Sequence, residues 1–222
     1  MPDTQKTIGK SVVIKGVGLH TGRKCKATIL PAPENAGIRF VRTDLPGSPA
    51  FDARVANVVD VVRGTTLGRG EERVYTIEHI LSALNGLEID NAVIEMDDTE
   101  PPVADGSARV FVEQIRAAGI VEQAAPKTFF TVDAPFEYSS NQTVIRIEPS
   151  DRFEIDCEVD YNHPMISNQR LVFTRDMGYG EQIAPARTFC FDYEIEALKK
   201  NGLAKGGSLD NAIVVGPAGI YN

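Results

Sequence analysis

Cysteine is scarce in this 222-residue chain: Cys25, Cys157 and Cys190 are the only three, an odd and widely scattered set. That argues against a disulfide framework and against a cysteine-rich zinc site. Long apolar runs are missing as well. None approaches the roughly 20 residues of a membrane-spanning helix, and the first ten residues are too polar for a secretory signal. Positive charge is in deficit, with 23 Lys and Arg against 31 Asp and Glu and a net charge of −8. Such a balance argues against a surface that tracks nucleic-acid phosphates. It leaves room for an anionic small ligand held where helix N-termini and individual basic side chains converge. Tryptophan is absent, which excludes nothing. What remains reads as a cytoplasmic protein of a reducing compartment, with the apolar and charged content of an ordinary globular chain.

The residues that are present alternate between two periods. Val12-Val13-Ile14, Ala27-Thr28-Ile29-Leu30 and Ile38-Arg39-Phe40-Val41 are short strand-like runs between glycines and prolines. A Val-rich run from Ala53 to Val62 is broken by Arg63-Gly64. From Thr76 the apolar positions Ile77, Ile80, Leu81 and Leu84 share one helical face, with Thr76 suited to the N-cap and Gly86 to the C′ position. Ala92 to Met96 reads as a strand, and Ser107 opens a second helix through Phe111 and Ile115 that Gly119 ends. Beyond Pro126 strands resume at Phe129–Val132, Val144–Ile147 and Phe153–Asp156, and Asp192 caps a third helix through Ile195 and Leu198 that Gly202 closes.

A helix followed by Asn85-Gly86-Leu87 and then Asp90-Asn91-Ala92-Val93-Ile94 is matched by a helix followed by Asn201-Gly202-Leu203 and then Asp210-Asn211-Ala212-Ile213-Val214. The common turn pairs Asn-Gly and Asp-Asn explain the letters alone. The matching order of elements favours two related halves. The fold expected is α+β, in two related domains spanning residues 1–122 and 127–222, each with helices packed on a mostly antiparallel sheet. A helix follows the first Asp-Asn-Ala strand and none follows the second, so the second domain is expected to be incomplete.

Three histidines offer the main chemistry. His79, with Glu78 before it, stands in the first turn of the helix opened at Thr76. The partial positive charge there disfavours imidazolium and keeps a neutral, ligand-competent ring, while it favours a nearby carboxylate or hydroxide. Such a pair can activate a metal-bound water; a good first-turn Glu beside a structural or solvated His is the commoner meaning of the two residues alone, and the stronger His-Glu-x-x-His spacing is absent. His20 lies in the glycine-rich Gly16-Val17-Gly18-Leu19-His20-Thr21-Gly22, a ligand-approach loop or a hairpin turn. His163 falls in the turn Tyr161-Asn162-His163-Pro164, and Thr188 and Phe189 sit at a corner before the third helix.

Taken together and in order, Gly16 to Gly22, Pro31-Ala32-Pro33, Arg42-Thr43-Asp44, Thr76-Ile77-Glu78-His79, Ile89-Asp90-Asn91, Asp105-Gly106-Ser107, Asn162-His163-Pro164, Asn168-Gln169-Arg170, Ala186-Arg187-Thr188-Phe189 and Gly206-Gly207-Ser208-Leu209-Asp210 resemble one family across the whole chain. This is the family of UDP-3-O-acyl-N-acetylglucosamine deacetylases, zinc amidases that commit Gram-negative bacteria to lipid A. The resemblance implies an active site between the two domains and hydrolysis of the substrate's acetamide. It implies that His79 is a zinc ligand, Glu78 the general base, and Thr188 a hydroxyl that holds the oxyanion. Phe189 would lie beside the glucosamine, and Tyr161 would stack on uracil. Residues 191–209 would form an insert around an apolar passage for the 3-O-acyl chain, with Ile195 and Leu209 in its lining.

The family's other zinc ligands, from a His-Lys-x-x-Asp helix, and its later Gly-His pair have no match here. This chain alone is therefore expected to hold zinc weakly and to lack meaningful activity. Two alternatives stand beside the enzyme: a UDP-sugar-binding relic, and the first part of a fusion with an acyl-carrier-protein dehydratase. A monomer is expected of the intact enzyme.

Overall fold

The computed structural model describes residues 3–222. Alternation of side chains along Lys24–Pro31 sends Cys25, Ala27 and Ile29 inward and leaves Lys24 and Lys26 in water, the pattern of a strand with one wet face. It lies in a five-stranded sheet ordered Val12–Val17, Lys24–Pro31, Ala92–Met96, Ile38–Arg42 and Ala50–Asp52. Neighbours run antiparallel except for Ile38–Arg42 beside Ala92–Met96.

Two helices contribute their apolar stripes to the same core: α1 (Glu78–Gly86) through Ile80, Ala83 and Leu84, and α2 (Arg109–Ala118) through Phe111, Val112 and Ile115. With Phe40, Ile29, Ile94 and Met96 they form one contiguous apolar cluster. A second antiparallel pair, Thr4–Ile8 with Ile120–Pro126, flanks it. The small sheet Val58–Asp60, Thr66–Arg69, Glu72–Val74 precedes α1.

Later strands pair as Phe136–Ser140 with Thr143–Ile147 and Glu154–Asp160 with Asn168–Thr174, both antiparallel. Phe189–Phe191 lies parallel to Ile213–Gly216, which turns back through Gly219–Ile220. Two short helices, α3 (Tyr179–Gln182) and α4 (Ile195–Lys200), accompany them. The expected α+β class, with helices on mostly antiparallel sheets, is the one observed. The two Asp-Asn-Ala sites also play matching parts. Asn91 and Asn211 are both buried just before a strand, and each side chain satisfies nearby polar groups: Asn91 accepts from Gly37 N–H, and Asn211 accepts from Ser208 N–H.

Several local expectations need correction. Phe129–Val132 forms no strand, and Phe129 and Phe130 are exposed; no partner strand lies beside the run among the described residues, so its β-propensity has no ladder to join. Thr76 does not cap α1. Its φ of +53° is not the extended geometry of an N-cap, and its hydroxyl is committed to Glu100 at 2.8 Å. Gly86 is the last helical residue rather than the left-handed one after it; Glu88 adopts φ +59° instead. A Cβ on Gly86 would lie 2.1 Å from the Tyr179 ring, so close packing explains this glycine. Asp192 makes no side-chain cap; Glu194 accepts from the Phe191 N–H at 3.0 Å, and Asp192 accepts from the Tyr221 hydroxyl.

Candidate functional site

Glu78 and His79 begin α1, where unpaired backbone N–H groups favour negative charge. Thr65 N–H donates to one Glu78 oxygen at 2.9 Å. The other faces Gly64, where even a Cβ would stand 3.3 Å away, so the glycine leaves that oxygen room. His79 is half-buried. Burial pushes its pKa down, opposed by the negative charges of Glu78 and Asp105, which leaves the imidazole neutral near pH 7.

A cavity of about 240 Å³ opens nearby, between the early loops and the later elements. Leu19, His20 and Arg63 line it from one side; Thr188, Phe189, Ile195, Leu198, Leu209 and Val214 line it from the other. The wall is apolar with a polar rim, the composition of a site for a ligand with an apolar tail. His20 accepts the Ala204 N–H at Nδ1, 3.3 Å, and its Nε2 lies 3.0 Å from the Arg63 carbonyl. Only a neutral ring with its proton on Nε2 serves both partners. Arg63 also reaches across to Glu194 at 2.5 Å.

Backbone contacts hold the two sides of the cavity in register. Gly206 N–H donates to Leu19 O at 3.0 Å and Lys205 N–H to His20 O at 3.2 Å. Thr188 is pinned twice: its N–H donates to Gly106 O at 2.8 Å, and its carbonyl accepts from Ile213 N–H at 2.9 Å. Arg187 beside it donates from Nε to Asp105 O at 2.7 Å and from Nη2 to Leu209 O at 3.0 Å. The Asp105–Gly106 loop thus carries a charge felt by His79 on one side and anchors Thr188 on the other.

Of the residues expected at the site, Thr188, Phe189, Ile195 and Leu209 come together in this one cavity. Tyr161 packs edge-on against Phe189 with ring centroids 5.1 Å apart. Glu78 and His79 are outside its lining and adjoin it through residues 63–65 and the Asp105–Gly106 loop. His163 stacks on Phe191 at 4.6 Å rather than standing free on a turn. Sequence reasoning missed Arg63, read only as the end of a Val-rich run, and Glu100, whose surroundings Thr99-Glu100-Pro101-Pro102 carry no periodic signal. Among the described residues no group of three His, Cys, Asp or Glu side chains is placed to hold a metal. His79 is a single imidazole donor, so these residues do not compose the three-ligand site of a catalytic zinc.

The UDP-3-O-acyl N-acetylglycosamine deacetylase family profile matches residues 5–222. Similar proteins include a UDP-3-O-acyl-N-acetylglucosamine deacetylase of Bdellovibrio bacteriovorus, 42% identical over 98% of this chain and 72% of its own. Another deacetylase of that name, from Saccharophagus degradans, is 44% identical over 98% of this chain and 73% of its own. A bifunctional enzyme LpxC/FabZ of Chlorobaculum tepidum is 43% identical over 95% of this chain, which spans only 46% of that relative's length.

Proposed function

The chain belongs to the UDP-3-O-acyl N-acetylglycosamine deacetylase family, and from that premise we propose that it binds UDP-3-O-acyl-N-acetylglucosamine and serves hydrolysis of its acetamide, releasing acetate for lipid A synthesis in the cytoplasm. The observation that carries this reading is the apolar cavity that unites Thr188, Phe189, Ile195 and Leu209 beside α1. The 3-O-acyl chain lies against Ile195 and Leu209, Phe189 floors the glucosamine, and Tyr161, edge-on to Phe189, stacks on the uracil. Glu78, held at one oxygen by Thr65 N–H and open at the other, takes the proton of the attacking water. Thr188, fixed by its two backbone bonds, offers its hydroxyl to the oxyanion as the carbonyl becomes tetrahedral.

His79 is the one donor this chain brings to the zinc expected from the resemblance. With no group of three His, Cys, Asp or Glu side chains placed to hold a metal among the described residues, no step through the metal follows from this chain. The same observation supports a second reading of the chain by itself, binding of the acylated UDP-sugar without turnover. Zinc retention after dialysis separates the readings: a stoichiometric, tightly held ion together with acetate release would refute the proposal that this chain alone is inactive.

The substrate assignment is tested by calorimetric titration with the 3-O-acyl substrate and with UDP-N-acetylglucosamine. Burying several methylenes, at about 0.8 kcal/mol each, predicts at least about 100-fold tighter binding of the acylated sugar. Leu209→Trp should erase most of that difference. Equal affinity for the two ligands would sink the assignment.

A further inference from the structure

Glu100 is the one carboxylate among the largest fully buried side chains, 1% exposed. No cation forms an ion pair with it among the described residues. Its partners are donors from two separate segments. His20 N–H reaches its oxygens at 3.0 and 3.2 Å, Thr21 N–H at 2.8 Å, and the Thr76 hydroxyl at 2.8 Å. A Cβ on Gly18 would lie 2.3 Å from one Glu100 oxygen, so the glycine-rich loop is shaped around this carboxylate.

Thr76 is the more telling partner. A β-branched residue at φ +53° is strained and persists only where its surroundings hold it. The hydroxyl bond to Glu100 is such a hold, and Thr76 stands two residues before Glu78. On the far side, His20 lines the cavity and fixes Ala204 and Arg63 through its ring. Among the described residues Glu100 is therefore the single side chain bonded both to Thr76 at the entry of α1 and to the loop that supplies the cavity's histidine.

We propose that Glu100 is a positioning residue that sets the Glu78-His79 end of α1 against the cavity wall at His20. The role it serves rests on the deacetylase reading, but the coupling itself does not. Removing both acceptor oxygens should release both sides together, although neither remote contact touches Glu100.

The test is Glu100→Met, which keeps roughly the length of the side chain and removes both acceptor oxygens. Hydrogen exchange is followed at Thr65 N–H, bonded to Glu78, at Ala204 N–H, bonded to His20, and at Gly37 N–H, bonded to Asn91 far from Glu100. Both remote amides should exchange at least about tenfold faster, as expected when buried donors on both sides lose their acceptor, with Gly37 little changed. A response confined to His20 and Thr21, or an equal rise at Gly37, would overturn the proposal. Thr76→Val carries the test if Glu100→Met fails to fold: Thr65 should speed up, Ala204 should not, and no change at Thr65 overturns it.

Titration with the acylated UDP-sugar separates the two levels. If the unsubstituted chain does not bind it, the deacetylase reading falls, and the amide pattern still decides the coupling. If it binds and Glu100→Met binds equally well despite loosened amides, Glu100 does not position the site.

Discussion

Alanine at Gly106 tests the joint on which the site depends, and Gly37 supplies its control. Both glycines have left-handed φ, +85° and +69°, so alanine costs each about 1–2 kcal/mol of backbone strain. They differ in what a methyl group meets. At Gly37 nothing stands within 4 Å; at Gly106 the Cβ would lie 2.1 Å from the Asn211 carbonyl oxygen and 3.4 Å from the Thr188 methyl. Relieving that overlap moves the loop away from the later strands, at about 1–3 kcal/mol for overpacking. It also weakens the Thr188 N–H bond to Gly106 O, worth about 1 kcal/mol. Gly106→Ala should therefore lose about 2–4 kcal/mol more than Gly37→Ala. At roughly 2–4 °C per kcal/mol for a chain of this size, the two melting temperatures separate clearly. Thermal unfolding of both variants, with affinity for the acylated UDP-sugar measured alongside, provides the assay. Equal losses, or a Gly106→Ala variant with undiminished affinity, would refute the claim that this contact sets Thr188 in place.

Three further outcomes follow from single contacts. Gly86→Ala should destabilise by about 1–3 kcal/mol through overlap with Tyr179, although helix propensity alone predicts a gain of about 1 kcal/mol; a raised melting temperature would overturn the packing account. The Glu88 carboxyl, hydrogen-bonded by Lys6 and, against the cost of burial, by Arg175, is held at about 2 rather than its ordinary 4.5. A depressed carboxylate contributes its full stability above pH 4.5 and loses it as pH falls toward 2. The stability gap between the parent chain and Glu88→Gln should accordingly close across that window, and a pH-independent gap would contradict it. A thiol reagent at pH 8 should label exposed Cys157 rapidly and leave Cys25 unreacted, since burial and then Asp97 and Asp98 push the Cys25 thiol up to about 12; early modification of Cys25 would show its site to be open.

Much of the framework was legible because it depends on patterns internal to each segment. Short β-branched and apolar runs marked Ala27–Leu30 within the strand Lys24–Pro31 and the whole of Ala92–Met96, and helical spacing marked α1 and α2. The paired Asp-Asn-Ala stretches were read as standing before two strands, and in the structure each of their asparagines is buried there. The grouping of Thr188, Phe189, Ile195 and Leu209 came from the family resemblance, since nothing in their own spacing joins them. The failures share one physical cause. Thr76 and Ser107 have the same capping chemistry; Ser107 accepts the Arg109 N–H at 3.1 Å, whereas Thr76 turns to a carboxylate 24 residues away. Phe129–Val132 has strand composition without a partner among the described residues. Glu100 has no local pattern because all its bonds are to distant segments.

The glycines carry the same distinction into the site. Gly86 meets the Tyr179 ring, Gly106 the Asn211 carbonyl, and Gly206 the Gly18 carbonyl, which a Cβ would approach to 2.2 Å. Each joins an early segment to a late one, and each explains a glycine by what stands opposite rather than by its own turn. At Gly106 and Gly206 backbone meets backbone, which leaves no flexible side chain at the nearest contact to absorb a shift. The cavity wall made by Thr188 and Leu209 is then set by the same contacts that set the start of α2. Its geometry should tolerate changes among its lining side chains better than the addition of one methyl group at Gly106.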